Sequence, residues 1–110
     1  MNSFLNKFMD KTKILNLLSM AQRANKVVSG DFAVTKAVQG RKALLMIVAE
    51  DASVETKKNY QHMADDAGIN VYYLFDREEL GHCIGKDFRA VAAIMDKGFA
   101  DALSKLFEDR

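Results

Sequence analysis

An α/β/α sandwich forming one domain is the fold the sequence predicts, and three observations predict it. The chain has 110 residues, enough for one compact core and too few for two independent ones. Two runs of strand length, residues 43–49 and 90–95, are apolar at every position, as strands buried on both faces are. These runs alternate with stretches whose apolar residues recur at helical spacing, so helices are expected on both sides of a central sheet.

Residues 11–24 place Ile14, Leu15, Leu17, Leu18 and Ala21 at helical spacing, with Asp10 as N-cap and Asn25 with Lys26 as the stop. Residues 1–10, which carry Phe4, Leu5 and Phe8, either prolong this helix or form a loose N-terminal extension. Val27 and Val28 read as a very short strand. Ser29, Gly30 and Asp31 supply turn and cap chemistry for a second helix that buries Ala33, Val34, Ala37 and Val38 and ends at Gly40. After the first apolar run, Ser53 caps a long helix closed by Gly68, and the β-branched and aromatic stretch 70–74 reads as a strand. Asp76 caps a short helix reaching Ile84, residues 85–89 form a polar loop, and the second apolar run is a strand. Asp96 caps a last helix with Phe99, Ala102, Leu103, Leu106 and Phe107 on one face.

Composition excludes several classes of protein. With 49% hydrophobic and 28% charged residues the chain is globular and not disordered. No stretch approaches the roughly 20 consecutive apolar residues of a spanning helix, so no membrane partner is expected. Lys7, Asp10, Lys11 and Lys13 near the start do not fit a signal peptide, and a cytoplasmic location is expected. Cys83 is the single cysteine and closes no internal disulfide. There is no close set of His and Cys, so neither metal nor cofactor is expected.

The formal net charge is only +1, yet its distribution is uneven. Residues 1–42 carry eight basic and two acidic residues, residues 43–84 carry three and eight, and the remainder balances. The basic first third can attract phosphate, and the acidic middle is expected to turn away from it.

Several catalytic motifs fail on inspection. The stretch Gly81–Asp87 resembles a phosphate-binding loop but has three residues between its glycines where four are needed. It also puts Asp where a hydroxyl must meet Mg²⁺. Lys97-Gly98-Phe99-Ala100 begins like an RNA-recognition-motif signature, but a helical sequence follows where a strand is required. His82 and Cys83 are helix neighbours pointing about 100° apart, and the pairs Asp65-Asp66 and Glu78-Glu79 share that geometry, which suits a solvated face. No nucleophile, base and orienting group can be assembled, so no enzyme is expected.

One constellation remains. On the second helix Phe32 and Lys36 share the face opposite the buried stripe. A helix N-terminus favours phosphate through its N–H groups and dipole, an exposed ring covers an unpaired base, and a lysine neutralises charge. The alternative at this point is that Phe32 packs on the N-terminal helix and Lys36 is ordinary surface.

The order of residues also carries a resemblance. Leu17-Leu18-Ser19-Met20-Ala21-Gln22-Arg23-Ala24-Asn25-Lys26-Val27-Val28-Ser29-Gly30, then Thr35-Lys36-Ala37, Val48-Ala49-Glu50-Asp51-Ala52-Ser53, Glu79-Leu80-Gly81, Gly85-Lys86-Asp87 and Asp96-Lys97-Gly98-Phe99-Ala100 resemble the bacterial YlxQ-type branch of the ribosomal-protein-L-seven-Ae, kink-turn RNA-binding superfamily. The resemblance implies a mixed four-stranded sheet inside the sandwich and a kink-turn or similarly bent RNA held at one end. It places Gly30 and Lys36 on the RNA-binding helix, with Asp31 between them. The superfamily's base-reading polar pair falls on Phe32 and Ala33, neither of which can donate side-chain hydrogen bonds. Its second contact loop maps onto Lys86, Asp87, Phe88, Arg89 and Ala90, more basic and more aromatic than usual and suited to stacking and phosphate contact. Glu50 is implied to lie at the same end. The reading that follows is a non-enzymatic, monomeric, RNA-binding protein associated with ribosomal or other structured RNA. The alternative is a protein-interaction module that uses the same exposed Phe32 and Phe88 surface.

Overall fold

The structure, a computed structural model, describes the backbone of residues 3–109 and the side chains of residues 10–109. Nine elements follow one another: α1 (Ser3–Arg23), β1 (Val27–Ser29), α2 (Asp31–Gln39), β2 (Leu45–Val48), α3 (Val54–Ala67), β3 (Asn70–Tyr73), α4 (Arg77–Cys83), β4 (Val91–Ile94) and α5 (Lys97–Glu108). The four strands form one mixed sheet in the order β1-β4-β2-β3. β2 and β3 are parallel, while β4 runs antiparallel to both β1 and β2. Consequently β1, β2 and β3 all finish at the edge of the sheet where β4 begins.

Alternation along the strands separates two cores. Leu45, Ile47, Ala92 and Ile94 face α1, α4 and α5, where Ile14, Leu18, Leu80, Leu103 and Phe107 are buried with them. Met46, Val48, Val91 and Ala93 face α2 and α3, packing on Val34, Val38, Tyr60 and Ala64. The two central strands are buried at all four positions, which is why their sequences are apolar throughout. The result is the expected three-layer α/β/α sandwich.

Local chemistry sets most helix boundaries. The Ser53 hydroxyl accepts from Thr56 N–H, the Asp96 carboxylate accepts from Phe99 N–H, and Asp76 and Glu79 cap each other reciprocally. One expected boundary differs. Asp10 does not cap α1, because the helix starts at Ser3 and includes it. The seven residues before Asp10 contain no glycine or proline to break the helix. Of the two readings open for residues 1–10, the prolonged helix holds from Ser3 on, and Met1 and Asn2 lie outside the described residues.

α2 ends as expected, with Gly40 as its C-cap. Gly40 has φ −81°, and Arg41 takes the left-handed conformation at φ 58°. Arg41 N–H donates to Val38 O and Lys42 N–H to Ala37 O, the paired bonds that place the left-handed residue one position beyond the C-cap. Asn25 closes α1 with the same pair of bonds, and Asn tolerates that conformation far better than Arg does.

Lys11 on α1 contacts Glu79 on α4 at 2.8 Å and lies over the Phe75 ring. That ammonium holds the Glu79 carboxyl below the usual glutamate range.

Two stability predictions follow from these contacts. Arg41→Gly should raise stability by about 0.5–1 kcal/mol in a urea melt, since removing left-handed strain outweighs the glycine's extra unfolded freedom. A carboxylate whose pKa falls on folding stabilises the fold above its unfolded value, roughly 4.3, and loses that contribution as pH falls through the lower folded value. Glu79→Gln keeps the capping geometry but not the charge. It should therefore unfold slightly more easily than the parent at neutral pH, by at most about 1 kcal/mol, with the two melting curves converging in acid.

Candidate functional site

The site is built where three strands end and β4 begins. The N–H of Gly30 donates to the carbonyl of Val91 at 3.0 Å, extending the β1–β4 ladder by one residue. Its own carbonyl then accepts from Val34 N–H, the first bond of α2. To turn that sharply Gly30 adopts φ 86° and ψ 161°, a region open almost only to glycine. A helix therefore starts directly from the sheet, with no side chain capping it.

The first residues of α2 diverge. The Asp31 carboxylate accepts a hydrogen bond from the Tyr60 hydroxyl on α3. Phe32 projects into solvent with 81% of its surface exposed, so it does not pack on the N-terminal helix. Ala33 is half-buried and Lys36 is exposed. Lys36 and Phe32 border a shallow groove of about 500 Å³ shared with Asp31, Thr35 and Gln39.

The second wall comes from the loop between α4 and β4. Gly85 ends α4 in the left-handed conformation, and Lys86 N–H donates back to Gly81 O at 2.8 Å. Gly81 lets this loop lie directly on the helix, since a Cβ there would sit 2.5 Å from Asp87 O and 3.0 Å from Phe88 Cα. Arg89 then fixes the loop's far side. Its N–H donates to Arg77 O at 3.1 Å, its Nε to Ser29 Oγ at 3.1 Å, and its Nη1 to Phe88 O at 2.7 Å. These side-chain bonds use two of the guanidinium's five N–H donors. Phe88, 63% exposed, stands out beside it.

The two walls enclose a depression of about 430 Å³ lined by residues 29–33 and 88–91. Gly30, Asp31, Phe32, Ala33, Phe88, Arg89 and Ala90 are thus brought together, with Lys36 one helical turn away. Lys86 and Asp87 are exposed on the same loop but do not line the depression. Glu50 lies past the end of β2, its N–H donating to Phe75 O at 2.6 Å, and it too is outside the depression.

Part of the acidic middle of the chain is not turned away, contrary to expectation. Glu50, Asp51, Asp76 and Glu78 are exposed at this same end of the sheet, on its β3 side, where Asp51 pairs with Arg77 at 3.4 Å. The parallel β2 and β3 deliver them there. Basic and acidic groups therefore share one end and divide it, with the basic part over β1 and β4.

Cys83 is no nucleophile in waiting: burial pushes its thiol up to about 11, and it donates to Leu80 O. Among the described residues no group of three or more His, Cys, Asp or Glu could hold a metal ion, and no helix is long and apolar enough to cross a membrane. Sequence reasoning missed the supporting groups: the Ser29 hydroxyl, Tyr60, Gly81 and the Arg77 carbonyl. Only Gly81 carried a signal, as a glycine inside a helical stretch.

Residues 12–104 match the ribosomal protein L7Ae/L30e/S12e/Gadd45 family. The chain is 38% identical over 92 residues, 84% of its length and 92% of the relative's, to a Bacillus subtilis protein named RNA-binding protein YlxQ. It is 34% identical over 90 residues to the large ribosomal subunit protein eL8 of Haloquadratum walsbyi, covering 80% of this chain and 75% of that one. A solved structure from Bacillus halodurans C, described as a protein with unknown function, superposes with a TM-score of 0.84 at 36% identity, over 87% of this chain and 97% of the other. With sequence and fold agreeing over most of its length, the chain belongs to the ribosomal protein L7Ae/L30e/S12e/Gadd45 family.

Proposed function

We propose that this chain is a non-enzymatic RNA-binding protein that holds a bent or bulged RNA, ribosomal RNA included, between the start of α2 and the loop before β4. The observation that carries this reading is the pair of exposed rings, Phe32 and Phe88, facing solvent on the two walls of one depression lined by Arg89, with Lys36 in the adjoining groove. Two phenyl rings held in water on a rigid frame offer faces for unstacked bases. Lys36, Lys86 and Arg89 supply the positive charge that phosphates require. The names of the relatives, an RNA-binding protein and a ribosomal subunit protein, support the same reading.

Recognition should depend on shape more than on base identity. Phe32 and Ala33 have no side-chain donor or acceptor, so nothing at those two positions reads a base edge. The acidic groups on the β3 side confine the phosphate path to the β1–β4 side of this end.

Three outcomes test the proposal, all read by fluorescence anisotropy with a labelled kink-turn RNA, a bulged hairpin and a fully paired duplex. The first two RNAs should bind within about tenfold of each other and more tightly than the duplex. Phe32→Ala and Phe88→Ala should each cost about 1–3 kcal/mol of binding. Separately, Lys36→Ala should weaken binding and lower the slope of log affinity against log salt by about one, with an unchanged melting temperature. Binding that is insensitive to salt and to Lys36 would instead identify the aromatic surface as a protein-docking site.

A further inference from the structure

We infer that Tyr60, a residue outside the groove, is a positioning residue for RNA binding: its hydroxyl holds the Asp31 carboxylate on the α3 side of the site and keeps that charge off the phosphate path. The inference rests on the RNA-binding reading and deepens it. Among the described residues, Asp31 is the one acidic side chain that borders both the groove along α2 and the depression between the walls. It occupies the first turn of α2, where the helix dipole and free N–H groups attract any anion. Left free, that carboxylate would compete with a phosphate for the same N–H groups and would repel phosphates approaching Lys36.

The restraint comes from behind. The Tyr60 ring is buried in the core between the sheet and the α2–α3 layer, with 5% of its surface exposed, and its hydroxyl donates to Asp31 Oδ1. Burial and the adjacent carboxylate both raise the phenol's pKa, so it stays a donor at neutral pH. One carboxylate oxygen is thereby engaged by a residue that lines neither the groove nor the depression. Because the tyrosine belongs to the core, its position is set by packing and does not relax when the carboxylate moves.

Anisotropy titrations with the bulged hairpin test this in Tyr60→Phe, Asp31→Asn and the double variant, each checked by thermal melting. Tyr60→Phe should weaken binding about three- to tenfold, Asp31→Asn should bind at least as tightly as the parent, and the double variant should bind like Asp31→Asn. A purely structural role predicts the same loss from Tyr60→Phe whether or not Asp31 is charged, and that result overturns the inference. So does unchanged affinity in Tyr60→Phe while Lys36→Ala still weakens binding, an outcome that leaves the RNA reading intact. If the parent protein binds none of the three RNAs, the reading and the inference fall together.

Discussion

The hydrogen bond from Gly30 N–H to the Val91 carbonyl is the tie on which the site depends. It joins the last residue before α2 to the first residue of β4, two points far apart in sequence. Once it forms, the start of α2 and the loop that feeds β4 must lie side by side. Its geometry demands a backbone conformation available almost only to glycine, so the requirement falls on one residue. The bond in turn needs β4 to be central and antiparallel, which the apolar sequence of residues 91–94 secures by burying all four.

Around that tie the molecule divides its labour. Packing on both faces of the sheet supplies the rigidity, and the rim supplies the chemistry. Exposed Phe32 and Phe88 contribute little to folding, since their rings remain in water. Their value lies in being held apart at a fixed spacing by Gly81, Ser29 and the Arg89 guanidinium. Arg89 braces the loop through two hydrogen bonds, and in the proposed function its other N–H groups serve the RNA.

How much of this could be read from the sequence depended on range. Ser53, Asp76 and Asp96 were legible as caps because a cap acts within three residues. Asp10 has the same side chain, but no breaker precedes it and the helix runs through. Gly40 was legible as the end of α2, but not that the left-handed residue would be Arg41, since the hydrogen bonds that end α2 put it after the C-cap. Phe32 and Lys36 shared a legible helix face. Phe88 and Arg89 joined them only through a family resemblance, because no local pattern foretells which loop a strand order will bring alongside. The bonds Ser29–Arg89 and Tyr60–Asp31 bridge 60 and 29 residues of sequence and follow from topology alone. The same topology carried the acidic residues 50, 51, 76 and 78 to the site's end, which charge counting along the chain had placed elsewhere.

The left-handed turns at Asn25, Arg41 and Gly68 all lie at the opposite end of the sheet, where β1, β2 and β3 begin. That end is made of short exposed connections, the places where a chain best accepts inserted residues. A fluorophore, an affinity tag or a fused partner attached there would stand a full strand length from the depression between the two walls. The fold thus comes with a handle and a working edge at opposite ends, which makes it a practical carrier for reporters of whatever the groove binds.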